Sequence, residues 1–136
     1  MRVPTTDYFC PIETNPKIIY LIDDSPVIIT RLRSLLQNLD FIVEIRSAGS
    51  FESAQALLTE QTPDLVLLDI NLGNRSGIEL LQFIHERYPT ATVIMLSNQS
   101  GPRFRAVCLG LGAASFIDKS TEFGQIRSVV MSFLKG

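Results

Sequence analysis

Cysteine and histidine are scarce. The 136 residues hold two cysteines, Cys10 and Cys108, and one histidine, His85. With no CxxC pair and no Cys/His cluster, the common zinc sites are excluded, and two lone cysteines do not make a disulfide framework. Long apolar runs are missing as well. The longest, Ile18 to Ile22, is far short of the ~20 residues a membrane span needs. The opening MRVPTTDYFCPIETNPK lacks the apolar core of a secretory signal. No charge dominates: 12 Lys and Arg against 14 Asp and Glu leave a net −2, so nothing favours direct nucleic-acid binding by the whole domain. Neither a GxxxxGK[ST] loop nor a GxGxxG fingerprint occurs, so nucleotide binding has no support. These absences predict a soluble, reduced, cytoplasmic protein that contacts no membrane.

What is present is a pattern. Hydrophobic residues make up 46% of the chain and charged ones 19%, enough apolar surface for one real core and too much for disorder. Residues 1–16 carry Pro4, Pro11 and Pro16 without periodicity and read as an N-terminal arm; the regular domain is expected over 17–136. Within it, short apolar runs predict strands at Ile18–Ile22, Phe41–Ile45, Leu65–Leu68, Ala91–Leu96 and Ser115–Ile117. Helices are expected between and after them: one capped by Asp24 or Ser25, one capped by Ser50, one after the Asn71–Gly77 loop, one after Gly101, and a last one capped by Thr121 with Ile126, Val130 and Phe133 inward. Unbroken apolar strands alternating with helices suit an α/β domain, a doubly wound five-stranded parallel sheet with helices on both faces. The last helix uses up the chain, so no output domain is expected.

The polar residues fall at telling places. Asp23 and Asp24 close the first strand, Asp69 the third, Ser97 the fourth and Lys119 the fifth. A parallel sheet gathers all its carboxyl ends along one edge, where such folds bind ligands. Three converging carboxylates repel unless a cation or a proton intervenes. Oxygen-only donors point to a hard ion, with Mg²⁺ the natural candidate. A carboxylate nucleophile beside a lysine and a hydroxyl then fits phosphoryl transfer to Asp69.

On these residues the chain resembles the receiver domain of bacterial two-component response regulators, a flavodoxin-like fold, from about Lys17 to the C-terminus. The stretches LIDDSP (Leu21 to Pro26), LVLLDINLGNRSG (Leu65 to Gly77), VIMLSN (Val93 to Asn98) and GAASFIDKS (Gly112 to Ser120) carry the likeness, in order and each at a strand end. The resemblance implies that Asp69 accepts a phosphoryl group from a histidine kinase or histidine phosphotransfer protein. It implies that Asp24 is a direct Mg²⁺ ligand, that Asp23 acts largely through water, and that Asn71 offers its backbone carbonyl. Lys119 would pair with the phosphoryl group and Ser97 would bind one of its oxygens. Phe116 would turn inward with Ser97, remodelling the face of the fourth helix, fifth strand and fifth helix for a downstream protein; that face is also the candidate homodimer surface. The only chemistry implied is phosphorylation and hydrolysis at the protein's own aspartate, not turnover of an external metabolite.

Three positions depart from the family's pattern: Ser120 and Gly73 stand where proline is common, and Asn98 where a small residue is common. Without proline after Lys119, no cis peptide is expected there, and Asn98 is expected to crowd the site and modulate access. The Ser120 and Asn98 departures motivate an alternative, a phosphorylation-independent interaction module on the same fold. A phosphatase of the haloacid-dehalogenase type would need Asp-x-Asp after the first strand, where this chain has Asp23-Asp24-Ser25. His85, beside Glu86 and Arg87, reads as a solvated residue and Cys108 as core. Arg103 and Arg105 read as a solvated face or part of a partner surface.

Overall fold

Short β-favouring runs make the strands, and helical periodicity fills the intervals. The computed structural model describes residues 16–40, 42–98 and 102–135. The arm expected over 1–16, with Cys10, lies outside the described residues except for Pro16, as do Phe41 and Gly101. The strands β1 (Lys17–Ile22), β2 (Val43–Ala48), β3 (Leu65–Asp69), β4 (Thr92–Ser97) and β5 (Ser115–Asp118) form one sheet in the order β2-β1-β3-β4-β5. Every neighbouring pair is parallel. The helices α1 (Pro26–Leu36), α2 (Phe51–Glu60), α3 (Gly77–Arg87), α4 (Pro102–Gly110) and α5 (Ile126–Lys135) alternate with the strands.

The pleat sorts the core into two layers. Ile19 and Leu21 of β1 face Leu32 and Leu36 of α1 and Ile126, Val130 and Leu134 of α5. Tyr20 and Ile22 face the opposite way, into the layer built with Phe51, Ala54 and Leu58 of α2, Leu80, Leu81 and Ile84 of α3 and Cys108 of α4. The fold is therefore the doubly wound α/β sheet that the sequence predicts. Tyr20, fully buried, keeps its hydroxyl satisfied by donating to the carbonyls of Leu57 and Gln61 at the end of α2. None of the described helices is long and apolar enough to cross a membrane.

Helix caps sit at the carboxyl edge of the sheet, where the chain leaves each strand. Ser25 accepts from the Ile28 N–H with Pro26 opening α1; Ser50 and Ser53 form a reciprocal capping box on α2; Ser76 accepts from the Ile78 N–H on α3.

Four local expectations change. The second strand runs Val43–Ala48 instead of Phe41–Ile45: β2 is an edge strand, and its polar residues stay paired to β1 while Arg46 reaches Glu60 and Ser47 meets Arg33. The Asn71–Gly77 loop contains a small hairpin, Asn71–Leu72 against Arg75–Ser76. Thr121 caps no helix; the turn after β5 passes through a 3₁₀ segment, Phe123–Gln125, preceded by Glu122. Phe133 is exposed and Leu134 buried, because the apolar stripe of α5 advances by four residues at each step and drifts around the helix.

Candidate functional site

The topology delivers the carboxyl ends of β1, β3, β4 and β5 to one edge, with β1, β3 and β4 adjacent at its centre. Asp69 is the last residue of β3 and Ser97 the last of β4; Asp23 and Asp24 follow β1 and Lys119 follows β5. Asp23, Asp69 and Ser97 are buried, and Asp24 is exposed at the mouth. Carboxylate oxygens of Asp23, Asp24 and Asp69 all lie within 4.8 Å of one another. The Lys119 ammonium donates to Asp23 Oδ2 at 2.6 Å and lies 3.3 Å from Asp69 Oδ1.

Charge decides what this edge can hold. One lysine against three carboxylates leaves a local deficit that a divalent cation would balance. Asp69 reports the strain: its carboxyl is pushed up to about 6, first by burial and then by the neighbouring Asp23 carboxylate. The Lys119 charge and hydrogen bonds from Lys119 and the Asn71 N–H pull the other way without cancelling this. Asp23 has both oxygens engaged, Oδ1 by the Ser25 N–H at 2.9 Å and Oδ2 by Lys119. Asp24 carries no such bonds among the described residues and faces open space. The cluster can coordinate a small cation through oxygen donors alone.

The segment after Asp69 packs tightly against it. A Cβ on Gly77 would lie 1.9 Å from the Asp69 carbonyl oxygen, so only glycine lets α3 start there. Gly73 turns the hairpin at φ +71°, a conformation closed to proline, which explains the departure at that position. Arg75 anchors the hairpin by stacking 3.6 Å from the Phe51 ring centroid and pairing with Glu52 and Glu79.

The model of the response regulator receiver domain family matches residues 19–131. The chain belongs to that family. Curated relatives include the transcriptional regulatory protein MctR of Rhizobium johnstonii, 30% identical over 89% of this chain and 57% of MctR. Another is the response regulator protein PilR of Pseudomonas aeruginosa, 30% identical over 85% of this chain and 25% of PilR. This receiver thus spans about half the length, or less, of these relatives. Among solved structures, the receiver domain of NtrX from Brucella abortus is 28% identical with a TM-score of 0.77, covering 86% of this chain and 98% of that one. The LuxR-family response regulator from Aurantimonas is 25% identical with a TM-score of 0.78, covering 90% and 87%. The receiver serves phosphorelay signalling, and the acidic cluster is of the kind at which the family accepts phosphate.

The remaining candidates divide. Asn71 is exposed beside the cluster and Asn98 exposed next to Ser97 at the mouth. Phe116 is 3% exposed, already inward in the layer with α2, α3 and α4. Arg105 keeps its side chain 43% exposed yet is also held: it donates to the Phe116 carbonyl, pairs with Glu122 at 3.0 Å and lies over the Phe116 ring. His85 is exposed on α3 and Cys108 fully buried. Gly77 and Asp118 carry little functional signal in the sequence. Gly77 has as its signal only its place at the end of the loop; Asp118 has the succession of acid, lysine and hydroxyl.

Proposed function

We propose that Asp69 is the phospho-acceptor of this receiver and that Lys119 and Ser97 hold the transferred group. The Lys119 ammonium seated between the Asp23 and Asp69 carboxylates carries this reading. An Asp69 oxygen attacks phosphorus as the P–N bond of a phosphohistidine donor breaks, and the departing imidazole takes a proton. Mg²⁺ fits the oxygen-only donors: Asp24, Asp69 and the Asn71 carbonyl would hold it, and Asp23 would act through water. When bound, it offsets the charge that gathers on the phosphoryl oxygens. Asp23, with both oxygens already engaged, suits the indirect role, and open Asp24 the direct one. Ser97, at the end of β4, supplies a hydroxyl to the phosphoryl group, and Phe116 and the face of α4, β5 and α5 report its arrival to a downstream protein or to a second copy. Asn98 narrows the mouth. The donor is a histidine kinase or histidine phosphotransfer protein of the cytoplasm, and the receiver unit runs over 17–136 with 1–16 as its arm.

Intact-mass spectrometry tests this. Incubation with Mg²⁺ and acetyl phosphate should add one phosphoryl group, absent with chelator and absent from Asp69→Asn. Transfer only from a phosphohistidine protein would support the acceptor role and a mouth closed to small donors. An adduct that persists in Asp69→Asn would move the acceptor elsewhere. No adduct from either donor, with no Mg²⁺ binding, would favour the phosphorylation-independent module.

A further inference from the structure

The receiver's site has a single cation among the described residues, and its place depends on the main chain from which it springs. Lysine has four side-chain rotors, so a tilt at its Cα is amplified at Nζ. In much of the family proline follows this lysine and stiffens the turn. Here Ser120 follows it, and no cis peptide occurs among the described residues.

Asp118, immediately before Lys119, is 5% exposed, and its N–H, its carbonyl and one carboxylate oxygen are hydrogen-bonded. Its N–H donates to Glu122 Oε1 at 2.9 Å, and its carbonyl accepts from the Glu122 N–H at 2.8 Å. Its carboxylate Oδ1 accepts from the Ser120 N–H at 2.8 Å and from the Ser120 hydroxyl at 2.6 Å. A proline at 120 would have neither donor. Glu122 is itself held by Arg105 of α4, which also grips the Phe116 carbonyl. On the inner side, the Lys119 N–H donates to the Ser97 carbonyl at 2.7 Å. Lys119 therefore sits between two fixed peptide units, one on each side of its Cα.

Nothing about a surface turn requires a buried carboxylate with no cationic partner. Asp118 has no ion pair among the described residues. The Ser120 hydroxyl and then the Ser120 N–H hold its carboxyl below the ordinary range, so it remains charged. What these bonds fix is the base of Lys119.

We propose that Asp118 is a positioning residue for Lys119: through Ser120, and braced by Glu122, it takes the place of the family's proline and aims the ammonium at the phosphoryl-binding edge. This rests on the reading of Lys119 as the phosphoryl-holding lysine. Because Asp118 touches neither the reacting atoms nor the acidic cluster, its loss should separate transfer from cation binding.

The experiment measures the rate of phosphoryl transfer from acetyl phosphate at saturating Mg²⁺, with Mg²⁺ affinity by calorimetry and the melting temperature beside it. A phosphohistidine protein replaces acetyl phosphate if the small donor gives no adduct. Asp118→Ala should slow transfer by about tenfold or more, a part of the roughly hundredfold that a misplacement of about 1 Å can cost, and leave Mg²⁺ affinity within about twofold of wild type. Asp118→Asn keeps an acceptor oxygen for Ser120 and should largely restore the rate. Ser120→Pro alone strips the two Ser120 donors from this carboxylate, leaving those of Thr121, and should be slow. Asp118→Ala with Ser120→Pro should be no slower than the slower single variant, since both remove one brace. If Asp118→Ala fails to fold, Ser120→Ala, at an exposed position, takes its place and should slow transfer through loss of the hydroxyl bond alone. Wild-type transfer in Asp118→Ala, or in Ser120→Ala where that stands in, overturns the inference. A proportional fall in transfer and Mg²⁺ affinity also overturns it, by making the residue merely structural. Failure of the wild-type chain to take phosphate from either donor sinks the acceptor reading instead.

Discussion

At the scale of single residues the site is a problem of desolvated charge. Asp69 has an ordinary carboxylate in solution and one pushed up to about 6 in the fold. The folded state therefore binds more protons than the unfolded chain between those two values. Its contribution to stability is complete below the ordinary carboxylate range and is lost as pH rises through about 6. Asp69→Asn removes the charge while keeping the shape. In chelator at pH 8 it should be more stable than wild type by about 1–2 kcal/mol, allowing for screening at the open mouth. The advantage should shrink as pH falls below 6. Thermal melts across pH check this, and an Asp69→Asn protein less stable than wild type at pH 8 would contradict it. Asp23, Asp24, Asp69, Ser97 and Lys119 were legible in the sequence because parallel strands turn separate strand-end residues into neighbours. Asp118 was not, because a carboxylate's service to the residue two positions on looks like any polar turn until its burial is known.

Elements were legible where apolar runs or periodicity marked them and less so where pairing alone sustained them. β2 continues through Arg46 and Ser47 because β1 offers its backbone, not because those side chains favour a strand. The hairpin at Asn71–Ser76 has no apolar alternation at all; Gly73 at positive φ and the Arg75 contacts with Phe51, Glu52 and Glu79 hold it. The start of α3 is the most demanding junction. An added Cβ at Gly77 would meet only main chain, the Asp69 carbonyl oxygen and carbon and the Ile70 Cα, none of which can swing aside. Gly77→Ala should cost about 2–3 kcal/mol, the upper part of the range for overpacking. It should also slow phosphoryl transfer, because what yields is the backbone that carries Asp69. Chemical denaturation and the mass assay read the two effects. A Gly77→Ala protein of wild-type stability would mean that α3 can start elsewhere.

On the scale of the whole molecule, the winding that buries two apolar layers also concentrates negative charge at one edge, so folding and cation binding are linked. A cation that binds only the folded state stabilises it, by about 2.7 kcal/mol at a hundredfold excess over its dissociation constant. On the proposed reading, in which Mg²⁺ binds through Asp69, the increment should depend on pH, because the proton and the cation would compete for that carboxylate. At pH 5 Asp69 is largely protonated and Mg²⁺ must displace a proton to bind it. At pH 8 the carboxylate is already exposed to its neighbours' repulsion and the cation relieves it. In chelator Asp69 makes stability fall as pH rises through about 6; in excess Mg²⁺ that fall should be offset, so the two curves separate toward pH 8. Asp24→Asn should narrow the gap throughout, since it removes the open ligand without touching the buried pair of Lys119 and Asp23. Melting curves in Mg²⁺ and in chelator at pH 5 and pH 8 suffice. An equal gap at both values would mean that the cation binds without Asp69, and the acidic edge would then have to be read as a charge cluster with its metal elsewhere.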